Sequence, residues 1–281
     1  MDHDFLVERD LEYACHDGES LKGWLWRPST PGPHPVLIAI PGGAWRQGGP
    51  EKFKDWGAWL AARGWAVFSV SYRFASAKQK SWPENFLDLR AAVQFIKGRA
   101  RELDLHPARV SLFGDSAGGH LAALLALAGE EEPFRSTFPA DPFHRLTTEV
   151  RCVIGVYGIY DLAAQWSHEQ AFRPNDHMLL NFVGRDLFDD RRTYFESSPL
   201  SYAVRRASGP AFLLVHGDED EVVDRSQSDT FRRALRLAGF NSRKLIISGA
   251  GHYFVTDPAD EPGSHRGWLM PRVLRFLNER G

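Results

Sequence analysis

The sequence predicts an α/β fold: a mostly parallel central sheet with an N-terminal antiparallel hairpin, helices on both faces and a small inserted cap. Three observations carry that expectation. From residue 35 onward, short β-branched and apolar runs alternate with stretches of helical periodicity, the pattern of helices crossing over between parallel strands. Before residue 35, two segments flank Asp17-Gly18, a pair suited to closing an antiparallel hairpin. Residues 161–208 are too long for an ordinary connection and break the rhythm.

In chain order, residues 6–14 and 20–27 form the hairpin arms. Residues 35–40 are near-continuously apolar, as a strand buried on both faces requires, and end in the glycine turn Pro41-Gly42-Gly43. An amphipathic helix over 53–63 stops at Gly64, and residues 65–72 make the next strand. The spacing of Phe86, Leu89, Val93 and Ile96 predicts a helix over 84–105. Residues 109–114 read as a short strand running into an Ala- and Leu-rich buried helix that starts at Asp115. Residues 150–157, 211–215 and 243–247 are three further strands, and 270–280 a closing helix. With no repeat, linker or low-complexity tract, residues 1–281 read as one domain with a cap insertion at approximately 161–208.

A formal net charge of −2 leaves no basic field to attract a phosphate backbone or anionic lipid, so neither nucleic acid nor a membrane is an expected partner. No apolar run approaches the roughly 18–20 residues of a membrane span. The first residues are acidic and lack the basic and apolar regions of a secretory signal, which makes the cytoplasm the expected location. There Cys15 and Cys152 are expected as free thiols. The sequence sets no oligomeric state.

Gly114-Asp115-Ser116-Ala117-Gly118 matches GxSxG between a predicted strand and a predicted helix. Small flanking residues let a serine sit on a strained turn with its hydroxyl above the sheet edge, and the following helix start favours negative charge there. A serine hydroxyl needs a base and an acid to orient that base. Asp220 follows the strand at 211–215 and His252 follows the one at 243–247, so both fall at the strand ends where open parallel sheets carry their sites. Asp218 competes with Asp220, because reach decides which carboxylate meets the histidine. The turn after the strand at 35–40 is placed to supply oxyanion donors, with Gly43, Ala44 and Ala117 as the candidates. Aromatic residues Trp166, Phe172, Phe182 and Phe188 cluster in the cap with His177. Trp45, Tyr157, Trp166 and Phe254 are the expected substrate-binding side chains, and no metal or cofactor is expected.

Together these residues resemble the α/β-hydrolase superfamily, and within it the carboxylesterases related to hormone-sensitive lipase and the kynurenine-formamidase-like group. The likeness covers most of the chain. Pro41-Gly-Gly-Ala-Trp45 is similar to an HGGxW oxyanion motif, with proline where histidine usually stands, and GDSAGGHLAA to the nucleophile elbow. Likewise HGDEDEVV resembles HGxxDxxV, and GAGH a histidine loop. The resemblance implies a serine hydrolase that cleaves small to medium carboxylic esters through an acyl-enzyme intermediate. An arylformamidase or other amidase using the same three residues is the near alternative. A catalytically silent, ligand-binding homologue is the alternative from another class. In the same resemblance Arg73 anchors a strand-end loop and His120 is a buried structural residue.

Overall fold

The computed structural model describes residues 4–137, 140–206 and 208–281. β1 (Phe5–His16) and β2 (Glu19–Pro28) form the hairpin; its turn places Asp17 at φ 51° and Gly18 at φ 81°, as a tight two-residue connection requires. β3 (His34–Ile40) is followed by a 3₁₀ turn, Pro50–Phe53, and α1 (Lys54–Ala61). β4 (Ala66–Val70), α2 (Glu84–Gly98), β5 (Leu105–Asp115), α3 (Ala117–Ala128) and β6 (Cys152–Val156) come next. The insertion then carries α4 (Leu162–Phe172), α5 (Met178–Val183) and α6 (Arg191–Glu196). β7 (Ala211–Gly217), α7 (Ser226–Leu237), β8 (Ser242–Ile247) and α8 (His265–Arg280) complete the chain.

The strands form one sheet in the order β1-β2-β4-β3-β5-β6-β7-β8. β1–β2 and β2–β4 pair antiparallel, and every later pairing is parallel. Residues of β4, β6 and β7 are buried on both faces, because crossover helices cover both. One face packs on α2, α3 and α7 through Phe86, Leu89, Leu121, Leu124, Phe231 and Leu235. The other packs on α1 and α8 through Trp56, Leu60, Val273, Phe276 and Leu277. Each such side chain contributes roughly 1.5–3 kcal/mol on burial; the parallel strands β3 to β8 present their carboxyl ends along one edge.

Three boundaries differ from the sequence expectation. α2 stops at Gly98, whose missing Cβ is required because one would lie 2.2 Å from the Phe143 ring. The chain then turns through Asp104 at φ 53°, and Leu105 opens β5 instead of closing the helix. α8 starts at His265, five residues ahead of Met270, because the Ser264 side chain accepts from Gly267 N as an N-cap. α7 was absent from the expected elements. It is a largely polar helix, with Phe231 and Leu235 buried one turn apart.

The hairpin is bound to the sheet's helical layer by a buried ionic cluster. His16 Nδ1 meets Asp88 at 2.7 Å and Nε2 meets Asp141 at 3.0 Å. Arg73, the residue expected to anchor a loop, bonds Asp88 and Asp17. Burial opposes the charge on His16, but hydrogen bonds to Asp141 and Asp88 outweigh it and raise its pKa to about 9.

Candidate active site

Ser116 sits between β5 and α3 at φ 52° and ψ −121°, a strained backbone that persists only because its surroundings impose it. A Cβ on Gly114 would lie 2.2 Å from Gly118 O, and one on Gly118 would lie 2.0 Å from Ile40 O, so the turn closes only with glycine at both places. Ser116 N donates to Val156 O at 2.9 Å, which pins the turn against the end of β6.

Asp220 lies in the loop after β7 and His252 in the loop after β8, and His252 Nδ1 lies 2.7 Å from Asp220 Oδ2. Asp220 Oδ1 accepts from Val222 N and Val223 N at 2.9 and 3.0 Å, while His216 Nε2 stands 3.4 Å from Oδ2. Burial would raise the Asp220 carboxyl; the bonds from His216 and His252 reverse this and hold it well below the usual carboxylate range. In the tautomer whose Nδ1–H donates to an ionised Asp220, the lone pair of His252 lies on Nε2. Asp218, the competing acid, accepts from Ser248 Oγ and Gly249 N at 3.1 and 2.7 Å, so it ties down the histidine loop instead. Ser116 and His252 are not hydrogen-bonded to each other among the described residues. Both stand around the end of β6: Ser116 through Val156 O, and His252 through its ring, 4.3 Å from that of Tyr157.

Residues 41–46 form a turn with Gly43, Ala44 and Trp45 all at positive φ, of 143°, 55° and 57°. The two non-glycine residues cost about 1–3 kcal/mol each in that region, so the turn must be held by its neighbours. Tyr72 Oη donates to Pro41 O at 2.7 Å, and Gly42 N donates to Asp115 Oδ1 at 2.8 Å. Lys52 Nζ donates to Asp115 Oδ2 at 2.7 Å and to Gly42 O at 3.3 Å. Among the described residues no hydrogen bond uses the N–H of Gly43, Ala44 or Ala117.

Three of the four residues expected to bind substrate, Trp45, Tyr157 and Phe254, are buried. Trp45 is 0% exposed; its indole donates to His120 Nδ1 at 3.1 Å and stacks on Phe182 at 4.3 Å. His120 donates in turn to Ser197 O at 2.7 Å, and burial lowers its pKa to about 4. Tyr157 is equally buried, and Phe254 fills the space behind its ring at 4.8 Å. Trp166 remains half-exposed, edge-on to Phe188. Of the cap aromatics, Phe182 belongs to the core, whereas Phe172 and Phe188 point to solvent. His177 opens α5 at φ 49°, and the preceding Asp176 is gripped by Arg46 through its backbone carbonyl at 3.0 Å and its carboxylate at 2.8 Å.

Sequence reasoning did not single out Asp115, Lys52, Tyr72 or Tyr253. The first carried a signal: it is an acid inside an otherwise apolar strand-to-helix turn. Tyr253 is exposed, at φ 78°, with its ring 4.6 Å from that of His252.

The BD-FAE family matches residues 25–235. Esterase LipC of Mycobacterium tuberculosis is 30% identical over 278 residues, covering 98% of this chain and 66% of its own length. Esterase LipQ of the same organism is 31% identical over 235 residues, with 82% and 53% covered. The chain thus spans about half to two thirds of the length of these curated relatives. Among solved structures, propionate-bound esterase 2 of Thermogutta terrifontis superposes with a TM-score of 0.78 over 98% of this chain and 94% of that one, at 21% identity. The parallel sheet, the serine turn after β5 and the match over residues 25–235 agree: the chain belongs to the BD-FAE family and has the α/β-hydrolase fold.

Proposed function

We propose that this chain is a serine hydrolase that cleaves small to medium carboxylic esters through an acyl-enzyme intermediate. The observation that carries the reading is the buried 2.7 Å bond between Asp220 and His252, together with a serine held at a strained turn after β5. In this reading His252 Nε2 takes the proton of Ser116 as its Oγ attacks the ester carbonyl. Gly43, Ala44 and Ala117 N–H groups stabilise the resulting oxyanion, helped by the positive end of α3. The tetrahedral intermediate collapses with His252 returning its proton to the leaving alcohol. Water, deprotonated by the same imidazole, then attacks the acyl-enzyme and releases the acid. The esterase relatives support the same reaction class.

The size limit follows from how the insertion uses its apolar residues. Met178, Leu179, Phe182 and Val183 are buried in the core, while Phe172, Leu180, Phe188 and Phe195 face solvent, so neither set encloses a long acyl channel. Each methylene that finds a wall should add about 0.8 kcal/mol to binding until the wall ends. On p-nitrophenyl esters of increasing length, kcat/KM should therefore peak at short acyl chains and fall for long ones, without activation by emulsions. Preferred turnover of long-chain triglyceride would overturn the size assignment. An N-formyl arylamine cleaved far faster than any ester would make the chain an amidase.

A further inference from the structure

We propose that Lys52 is a positioning residue for the reaction, one that aims the Gly43 N–H at the oxyanion. The inference rests on the serine-hydrolase reading above and adds a residue to it. Gly42 C=O and Gly43 N–H belong to one planar peptide unit, in which the carbonyl and the N–H point in opposite directions. Fixing the oxygen therefore fixes the direction of the N–H. Lys52 Nζ holds that oxygen at 3.3 Å while its stronger contact, 2.7 Å to Asp115 Oδ2, anchors the ammonium to the residue beside Ser116. The preceding peptide is pinned in the same way, with Pro41 O bound by Tyr72 Oη and Gly42 N–H bound by Asp115 Oδ1.

The arrangement links the two halves of the site through one buried carboxylate. Asp115 is 1% exposed and receives Gly42 N–H, Lys52 and, at 3.3 Å, Tyr157 Oη. Gly42 packs so closely that a Cβ there would lie 2.9 Å from Asp115 Oδ2 and 3.0 Å from the Ser116 Cβ. With proline at 41, the loop's first side chain has no donor of its own, and the lysine supplies a donor from the 3₁₀ turn ahead of α1. A cation on the carbonyl oxygen also polarises the peptide, which makes its N–H a better donor to a developing negative charge.

The test compares wild type with Lys52→Met and Lys52→Arg, using p-nitrophenyl acetate turnover and inhibition by phenylboronic acid, whose serine adduct is a tetrahedral anion. For Lys52→Met, kcat should fall about 10–100-fold with KM changed less than about threefold, since removing one oxyanion donor outright costs about 10²–10³. The boronate inhibition constant should rise by a similar factor, and Lys52→Arg should recover most of both. Lys52 is partly exposed, so circular dichroism should show both variants folded. A folded Lys52→Met with wild-type kcat and boronate affinity would overturn the proposal. So would a loss of kcat with boronate affinity unchanged, because the lysine would then act elsewhere than on the anion. Wild-type turnover that survives Ser116→Ala would overturn the hydrolase reading and this inference together.

Discussion

Two aspartates two residues apart serve the same histidine in different ways, and their partners separate them. Asp220 receives His252 Nδ1, the two backbone N–H groups of Val222 and Val223, and the neighbouring His216, all at a fully buried carboxylate. Asp218 receives Ser248 Oγ and Gly249 N at the surface, where a neutral amide can accept the same bonds. Asp220→Asn should therefore lower kcat by roughly 10⁴, by loss of the charge that fixes the imidazole tautomer. Asp218→Asn should change kcat only a few-fold, through a looser loop. Steady-state kinetics on one short ester checks the pair, and the reverse order would assign the acid role to Asp218. The choice was open in the sequence because both acids follow the same strand, and only the fold of the loop sets which one reaches the ring.

At the scale of elements, the turn after β3 is held from behind by a chain that runs from one helix to another. Trp45 donates to His120 on α3, His120 donates to the carbonyl of Ser197 just past α6, and Phe182 of α5 stacks on the indole. Trp45→Ala should cost about 3–5 kcal/mol of stability and lower the denaturation midpoint. The rank order of ester chain lengths should stay the same, because the indole is fully buried between His120 and Phe182. A changed chain-length preference at unaltered stability would return Trp45 to the binding site. The same contacts show what the sequence could and could not tell. Strands such as β3 and β4 were legible from their unbroken apolar runs, and the serine turn from its glycines. Trp45 looked like a pocket residue because its partners lie 75 and 137 positions away, beyond any local pattern. α7 carries a helical period, with Gln227, Ser228, Phe231 and Leu235 along its buried face, but its low apolar content hides that face from a reading that looks for apolar runs.

Across the whole molecule, the N-terminal hairpin is fastened to α2 and the loops beside it by the His16, Asp88, Arg73, Asp141 and Asp17 cluster. His16 carries a raised pKa of about 9 in the folded chain against about 6.5 unfolded. Its contribution to stability is fully present below about 6.5 and is lost as pH rises through about 9. The melting temperature should thus decline between pH 7 and 10, and His16→Gln should be less stable at pH 7 with a flatter profile over that interval. An identical slope in both proteins would remove His16 from the account. Covalent capture reports whether Ser116 is the nucleophile. A fluorophosphonate probe should form one adduct per chain, mapped by mass spectrometry to Ser116, blocked by excess short-chain ester and absent in Ser116→Ala, whose turnover should fall on the order of 10⁶-fold. An unlabelled Ser116, with ester turnover intact in Ser116→Ala, would contradict that role.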